Sequence, residues 1–169
     1  LPGRLTYWKG QTVFIEALNI LNQQTDLKPF LGIILGSDQD RNVYYKKLMS
    51  LVEKYRLNRK IKFFSFCKEM PLAYMLADVV VSTSIEPEAF GRVSIEAQSM
   101  EKPIVASEIG GSKETILNDK TGILIKPGDP IALAYKLKEL SKLDMGTLKL
   151  MGAEGRKNVL KKFDVEKMC

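Results

Sequence analysis

Six short apolar runs, set apart by turns and by segments with helical spacing, constrain this chain more than any other feature. Leu1-Pro2-Gly3 reads as the tail of a first strand. Phe30 to Leu35 is a continuous apolar run stopped by Gly36, and Ile61 to Phe64 is a third strand. Val79 to Ser82, Ile104 to Ala106 and Gly122 to Ile125 follow. Between and after them lie helical patterns. Gln11 to Gln23 places Val13, Phe14, Ala17, Leu18 and Leu21 on one face. Others are expected over Arg41 to Tyr55, Leu72 to Leu76, Gly91 to Met100, Ile131 to Leu143 and Met145 to Phe163. Apolar strands alternating with amphipathic helices need both sheet faces covered. The expected fold is therefore α/β: a doubly wound, Rossmann-like parallel sheet of about six strands with helices on both faces. A chain of 169 residues, 45% hydrophobic, is enough for one such core.

Composition removes several functional classes. No apolar run reaches the roughly 18 residues of a membrane span, and no signal peptide opens the chain. Two cysteines, Cys67 and Cys169, make no disulfide framework, so a soluble, cytoplasmic protein is expected. Histidine is absent, which removes the commonest general base and any histidine metal site. The net charge of +6 is dispersed, without the aromatic-interleaved basic stripe of a nucleic-acid binder, so no nucleic-acid partner is expected. It suits solvated lysines and also peripheral contact with an anionic membrane surface at its inner face.

The chemistry concentrates where the fourth strand hands over to a helix, in EPEAFGRVSIEA at positions 86–97. Glu88 and Glu96 stand eight positions apart there, with Phe90-Gly91 between them. Open α/β sheets bind ligands at the carboxyl ends of their strands, and free N–H groups at a helix start suit phosphate. Carboxylates beside such a turn accept hydrogen bonds from sugar hydroxyls. If the strands take the order 3-2-1-4-5-6, the loop GRLTYWKG after the first strand shares this crevice, and Arg4 and Lys9 converge on it. Alone, either cation reads as a surface charge. Together at the switch point they read as diphosphate ligands. Glu96 also suits the first turns of its helix through the dipole alone.

Five blocks carry a resemblance: GRLTYWKG at 3–10, ILGSD at 34–38, ADVVVSTSIEPEAFGRVSIEA at 77–97, KPIVASEIGGSKE at 102–114 and TGILIKPGDPIALA at 121–134. In this order the chain resembles, over almost its whole length, the C-terminal, nucleotide-sugar-binding domain of a retaining glycosyltransferase of family 4, with the two-domain GT-B fold. The resemblance implies that Glu88 contacts the donor sugar and Glu96 the ribose. It places Arg4 and Lys9 on the diphosphate, joined by main-chain N–H groups of Phe90, Gly91, Arg92 and Val93. Gly36, Gly110 and Gly111 are carried over as donor-binding positions, and Phe66 and Cys67 lie against the base. It implies transfer of a sugar, with retention, from a nucleoside diphosphate sugar to a sugar or lipid-linked acceptor, in partnership with an N-terminal domain absent from this chain. No cofactor and no metal are expected.

The chain departs from the family at two points: Glu101 stands where the family has a glycine that closes the helix, and Ser65 replaces a glycine after the third strand, which leaves the nucleobase open. Asp38-Gln39-Asp40 has the Asp-x-Asp form of a metal site in another glycosyltransferase fold, but Asp40 just before a helix is explained by capping. Gly110-Gly111 reads equally as a plain turn, and Glu114 as a helix-start residue. A noncatalytic nucleotide-sugar-binding module is the alternative reading. A glycosidase is disfavoured, since its paired carboxylates have no diphosphate to hold.

Overall fold

Parallel pairing organises the computed structural model, which describes residues 1–37 and 42–163. The elements are α1 (Gln11–Asn22), β1 (Gly32–Leu35), α2 (Asn42–Lys54), β2 (Ile61–Phe64), α3 (Met70–Met75), β3 (Val80–Ser82) and α4 (Arg92–Ser99). Then come β4 (Ile104–Ser107), α5 (Ser112–Thr115), β5 (Ile123–Ile125), α6 (Pro130–Lys142) and α7 (Met145–Lys162). β1 pairs with β2 from Gly32↔Ile61 to Leu35↔Phe64, and β4 lies between β3 and β5, all parallel.

The expected first strand is reduced to one parallel bridge, Pro2↔Leu35. The Gly3 amide donates to Leu35 O at 2.9 Å, and the Leu35 amide to Leu1 O at 3.0 Å. This segment borders β1 on the edge away from β2, as the 3-2-1 order requires. It does not join β1 to β3 by a ladder, so the single six-stranded sheet becomes a two-stranded and a three-stranded one. Two local causes are visible. Pro2 has no N–H to donate, and Gly3, at φ 145°, leaves the strand conformation and turns the chain toward Arg4.

Side-chain alternation splits the core between the two faces. Val81 and Val105 point to the cluster built by Phe14, Leu18, Ile34, Leu133 and their neighbours under α1, α2 and α6. Val80, Ile104 and Ala106 point the other way, to Tyr74 of α3 and Ala97 of α4. Helix α1 is held deepest: Ile15 and Ala17 are fully buried, and it packs on both α6 and α2. Each large aliphatic side chain buried this way contributes about 1.5–3 kcal/mol.

Two expectations change. The run from Phe30 is not wholly buried: β1 starts at Gly32, Leu31 and Ile33 are exposed, and Ile33 lines an apolar cavity of about 310 Å³ with Leu35, Phe64 and Leu72. The short helix α3 is too small to cover that face. It begins at Met70 rather than Leu72, because Pro71 fits a first turn, where its missing N–H costs nothing. Glu101 keeps the left-handed turn that the family gives to glycine, at φ 56°. Asp38, Asp40 and the proposed cap lie outside the described residues, as does Cys169.

Candidate functional site

Two loops are stitched together at the carboxyl ends of the strands. The Thr83 hydroxyl, just after β3, donates to Lys9 O at 3.1 Å and Gly10 O at 2.9 Å. The Ile85 amide donates to Trp8 O at 2.8 Å. Gly10, at φ 66°, lies so close that a Cβ there would strike the Thr83 carbonyl. Beneath them a Cβ on Gly36 would strike the Gly3 carbonyl. The buried Gln11 amide donates to Arg4 O at 2.7 Å and holds the start of the loop. Thus the loop after the first segment and the loop after β3 share one crevice, as the strand order predicts.

This packing turns a short 3-10 turn, Tyr7–Lys9, toward the glutamate loop. Lys9 Nζ lies 2.6 Å from Glu88 Oε2, with both side chains largely covered. The Ser84 hydroxyl donates to the other Glu88 oxygen. Trp8 presents its ring to both cations: Lys9 Nζ is 4.6 Å from the centroid and the Arg4 guanidinium carbon 5.8 Å. An aromatic face attracts a cation by about 0.5–2 kcal/mol. Arg4 is itself exposed.

Helix α4 starts beside this pair. Gly91 caps it at φ 66°, and Arg92 and Val93 begin it, so its first N–H groups have no partner within the helix. The Gly110-Gly111 turn closes the other side: the Gly111 amide donates to Glu88 O at 2.8 Å. A Cβ on Gly110 would strike the Glu88 backbone, and one on Gly111 the Phe90 backbone. An open cleft of about 630 Å³ results, lined by Pro87, Glu88, Ala89, Gly110, Gly111, Lys113 and Glu114. Glu114 occupies the first turn of α5, as expected, and also stands on the cleft wall.

The predicted residues therefore fall into groups. Lys9, Glu88, Gly91, Arg92, Val93, Gly110 and Gly111 gather around the α4 N-terminus, while exposed Arg4 reaches only the Trp8 ring that also faces Lys9. Phe90 contributes backbone there, while its ring meets Phe163 edge-on at 6.1 Å. Gly36 sits under the loop and permits its close approach. Phe66 and Cys67 line the separate apolar cavity with Tyr74, and Cys67 Sγ donates to Glu69 O at 3.3 Å. Exposed Glu96 on α4 accepts a hydrogen bond from the Tyr74 hydroxyl at 2.6 Å. Sequence reasoning missed Trp8, Ser84, Tyr74 and Lys113. Trp8, Ser84 and Lys113 each stood inside one of the five blocks, which was their signal, whereas Tyr74 lay outside them. Among the described residues no cluster of three or more Cys, Asp or Glu side chains is placed to hold a metal ion. No helix among them is long and apolar enough to cross a membrane.

Several known proteins are similar to this chain in sequence and fold. A D-inositol 3-phosphate glycosyltransferase of Corynebacterium urealyticum is 33% identical over 141 residues, 82% of this chain and 33% of its own length. The crystal structure of a glycosyltransferase from Rickettsia africae superposes with a TM-score of 0.91 at 34% identity, covering 99% of this chain and 43% of the other. Anabaena Alr3699/HepE, solved in complex with UDP and glucose, gives a TM-score of 0.89 at 29% identity, covering 98% of this chain and 44% of the other. The chain thus spans less than half the length of these relatives. The model of the glycosyl transferases group 1 family matches residues 1–158, which hold the whole crevice, and the chain belongs to that family of GT-B-type proteins.

Proposed function

We propose that this chain is the donor-binding, C-terminal half of a retaining family 4 glycosyltransferase that uses a nucleoside diphosphate sugar. One observation carries the reading: Lys9 and Glu88 meet at 2.6 Å beside the α4 N-terminus, with Arg4 held on the same Trp8 ring. That arrangement offers two cations and helix amides to a diphosphate, and a carboxylate to the sugar next to it. Glu96 takes the ribose hydroxyls, and the apolar wall at Phe66 and Cys67 takes the base. The Anabaena neighbour, solved with UDP and glucose, supports the donor class.

In catalysis the residues act by electrostatics and placement. Arg4, Lys9 and the amides of Arg92 and Val93 stabilise charge developing on the leaving diphosphate, while Glu88 orients the hexosyl ring. Because cations and amides already meet the phosphate charge, binding needs no divalent metal and no cofactor. The acceptor, a sugar or lipid-linked glycan, binds mainly to the N-terminal domain, and the basic surface supports peripheral contact with the inner face of a membrane. Calorimetric titration of the chain with UDP, GDP and ADP, and with their hexose conjugates, tests the reading. Binding of a nucleoside diphosphate in EDTA is expected. Binding that vanishes in EDTA and returns with manganese would overturn the metal-free site, and no binding at all would overturn the whole.

A further inference from the structure

Glu96 needs a fixed orientation to read ribose, yet it stands exposed on α4, where a free glutamate samples several rotamers. Tyr74 supplies the constraint. Its hydroxyl lies 2.6 Å from Glu96 Oε2, while its ring is buried against Val80, Ala97 and Ile104 in the core beneath. The helix that carries it is pinned in turn, since Lys102 Nζ donates to Met75 O, in the last turn of α3, at 2.8 Å. Thus a core-anchored phenol occupies one carboxylate oxygen and leaves Oε1 for a ligand. Burial first, then the neighbouring Glu96 carboxylate, push the Tyr74 phenol well above its ordinary range. It therefore remains a proton donor at neutral pH.

We propose that Tyr74 is a positioning residue for ribose recognition: it holds Glu96 in the rotamer that accepts hydrogen bonds from the ribose hydroxyls of the nucleotide. This rests on the reading of Glu96 as the ribose ligand. Tyr74 also lines the apolar cavity with Phe66 and Cys67, so one side chain couples the wall assigned to the base with the acid assigned to the sugar beside it. A hydrogen bond to a charged group is among the stronger ones a protein makes. Only the part spent on orienting Glu96 reaches the ligand.

The test uses titration calorimetry of the chain with UDP, GDP and ADP, each beside its 2′,3′-dideoxy counterpart. Tyr74→Phe keeps the ring and its packing while removing the donor. It is expected to weaken the ribonucleotide about 5- to 10-fold and to leave the dideoxy form unchanged, because Glu96 then has no hydroxyl to meet. Glu96→Ala is the control for the underlying reading and should remove the preference for ribose. If Glu96→Ala keeps that preference, or if no ribonucleotide binds, the ribose reading and the role of Tyr74 fall together. If Glu96→Ala loses it and Tyr74→Phe does not, the ribose reading stands and the role of Tyr74 alone is overturned. Equal losses for both nucleotide forms in Tyr74→Phe would mark a purely structural residue and also overturn it. Should Tyr74→Phe misfold, addition of Glu96→Gln to wild-type Tyr74 keeps the question open to measurement. That variant retains an acceptor oxygen for the phenol, so it should bind ribonucleotide better than Glu96→Ala does. Equal binding by the two would overturn the orienting role.

Discussion

Lys9 Nζ and Glu88 Oε2 stand 2.6 Å apart, so two groups assigned to different parts of a donor are already partners in the free protein. A diphosphate must share Lys9 with Glu88. Glu88→Gln should therefore raise affinity for a bare nucleoside diphosphate, by up to about 1 kcal/mol, while lowering turnover of the two-domain enzyme. Lys9→Met should do the opposite to binding, costing about 1.5–3 kcal/mol. Calorimetry with UDP checks both signs, and a loss of affinity in Glu88→Gln would show that the pair does not compete with the ligand.

Trp8 is the common face for Lys9 and Arg4, at 4.6 and 5.8 Å. Trp8→Ala should weaken diphosphate binding by about 0.5–2 kcal/mol by freeing both cations, and Trp8→Phe should retain part of it. The two variants are to be compared by titration at low and high salt. Equal affinities in wild type and Trp8→Ala would rule out the platform.

Glu101 adopts φ 56°, a conformation that costs an L-residue roughly 1–2 kcal/mol. Glycine removes that strain but loosens the unfolded chain by about 0.4–1 kcal/mol. Its ion pair with Arg156 is long, at 3.7 Å, and solvated, so losing it matters little. Glu101→Gly should stabilise the fold by about 0.5–1 kcal/mol in urea unfolding. Glu101→Ala should not, and that contrast isolates the backbone term.

Asp26, in the turn after α1, receives hydrogen bonds from Lys138 at 2.9 Å and Lys142 at 3.2 Å, both on α6. The Lys138 bond first, then that of Lys142, hold its carboxyl down to about 2, from an ordinary 3.8. A pKa depressed by folding adds stability above the unfolded value and loses it as pH falls through the folded one. The pair is exposed, so the effect is small and salt-sensitive. Urea unfolding of Asp26→Asn should differ from wild type at about pH 6 and converge with it toward pH 2. A constant difference across that window would exclude the ion pair as its source.

The strand segments and α1 were legible because their signals are local. Ile61–Phe64 is recovered without change, and the apolar spacing of Val13, Phe14, Ala17, Leu18 and Leu21 is the buried face of α1. The meeting of the GRLTYWKG loop with the glutamate loop was also legible, because the strand order brings those ends together. Whether Glu101 keeps the left-handed turn was not, since its side chain disfavours that conformation and only the structure gives φ 56°.

What the sequence by itself determined was the alternation of strands and helices and the pair of loops that meet at one crevice. Periodicity and turn chemistry act over a few residues and need no partner. Tertiary structure decided which side chains touch. The Lys9–Glu88 pair, the shared Trp8 ring and the Tyr74–Glu96 bond each depend on how two loops or helices settle against one another. The same holds for the reduction of the first strand to a single bridge, where the conformation of Gly3 overrode an apolar run. Contacts between distant positions are set by the packing of the whole core, and a run of residues read alone carries no record of it.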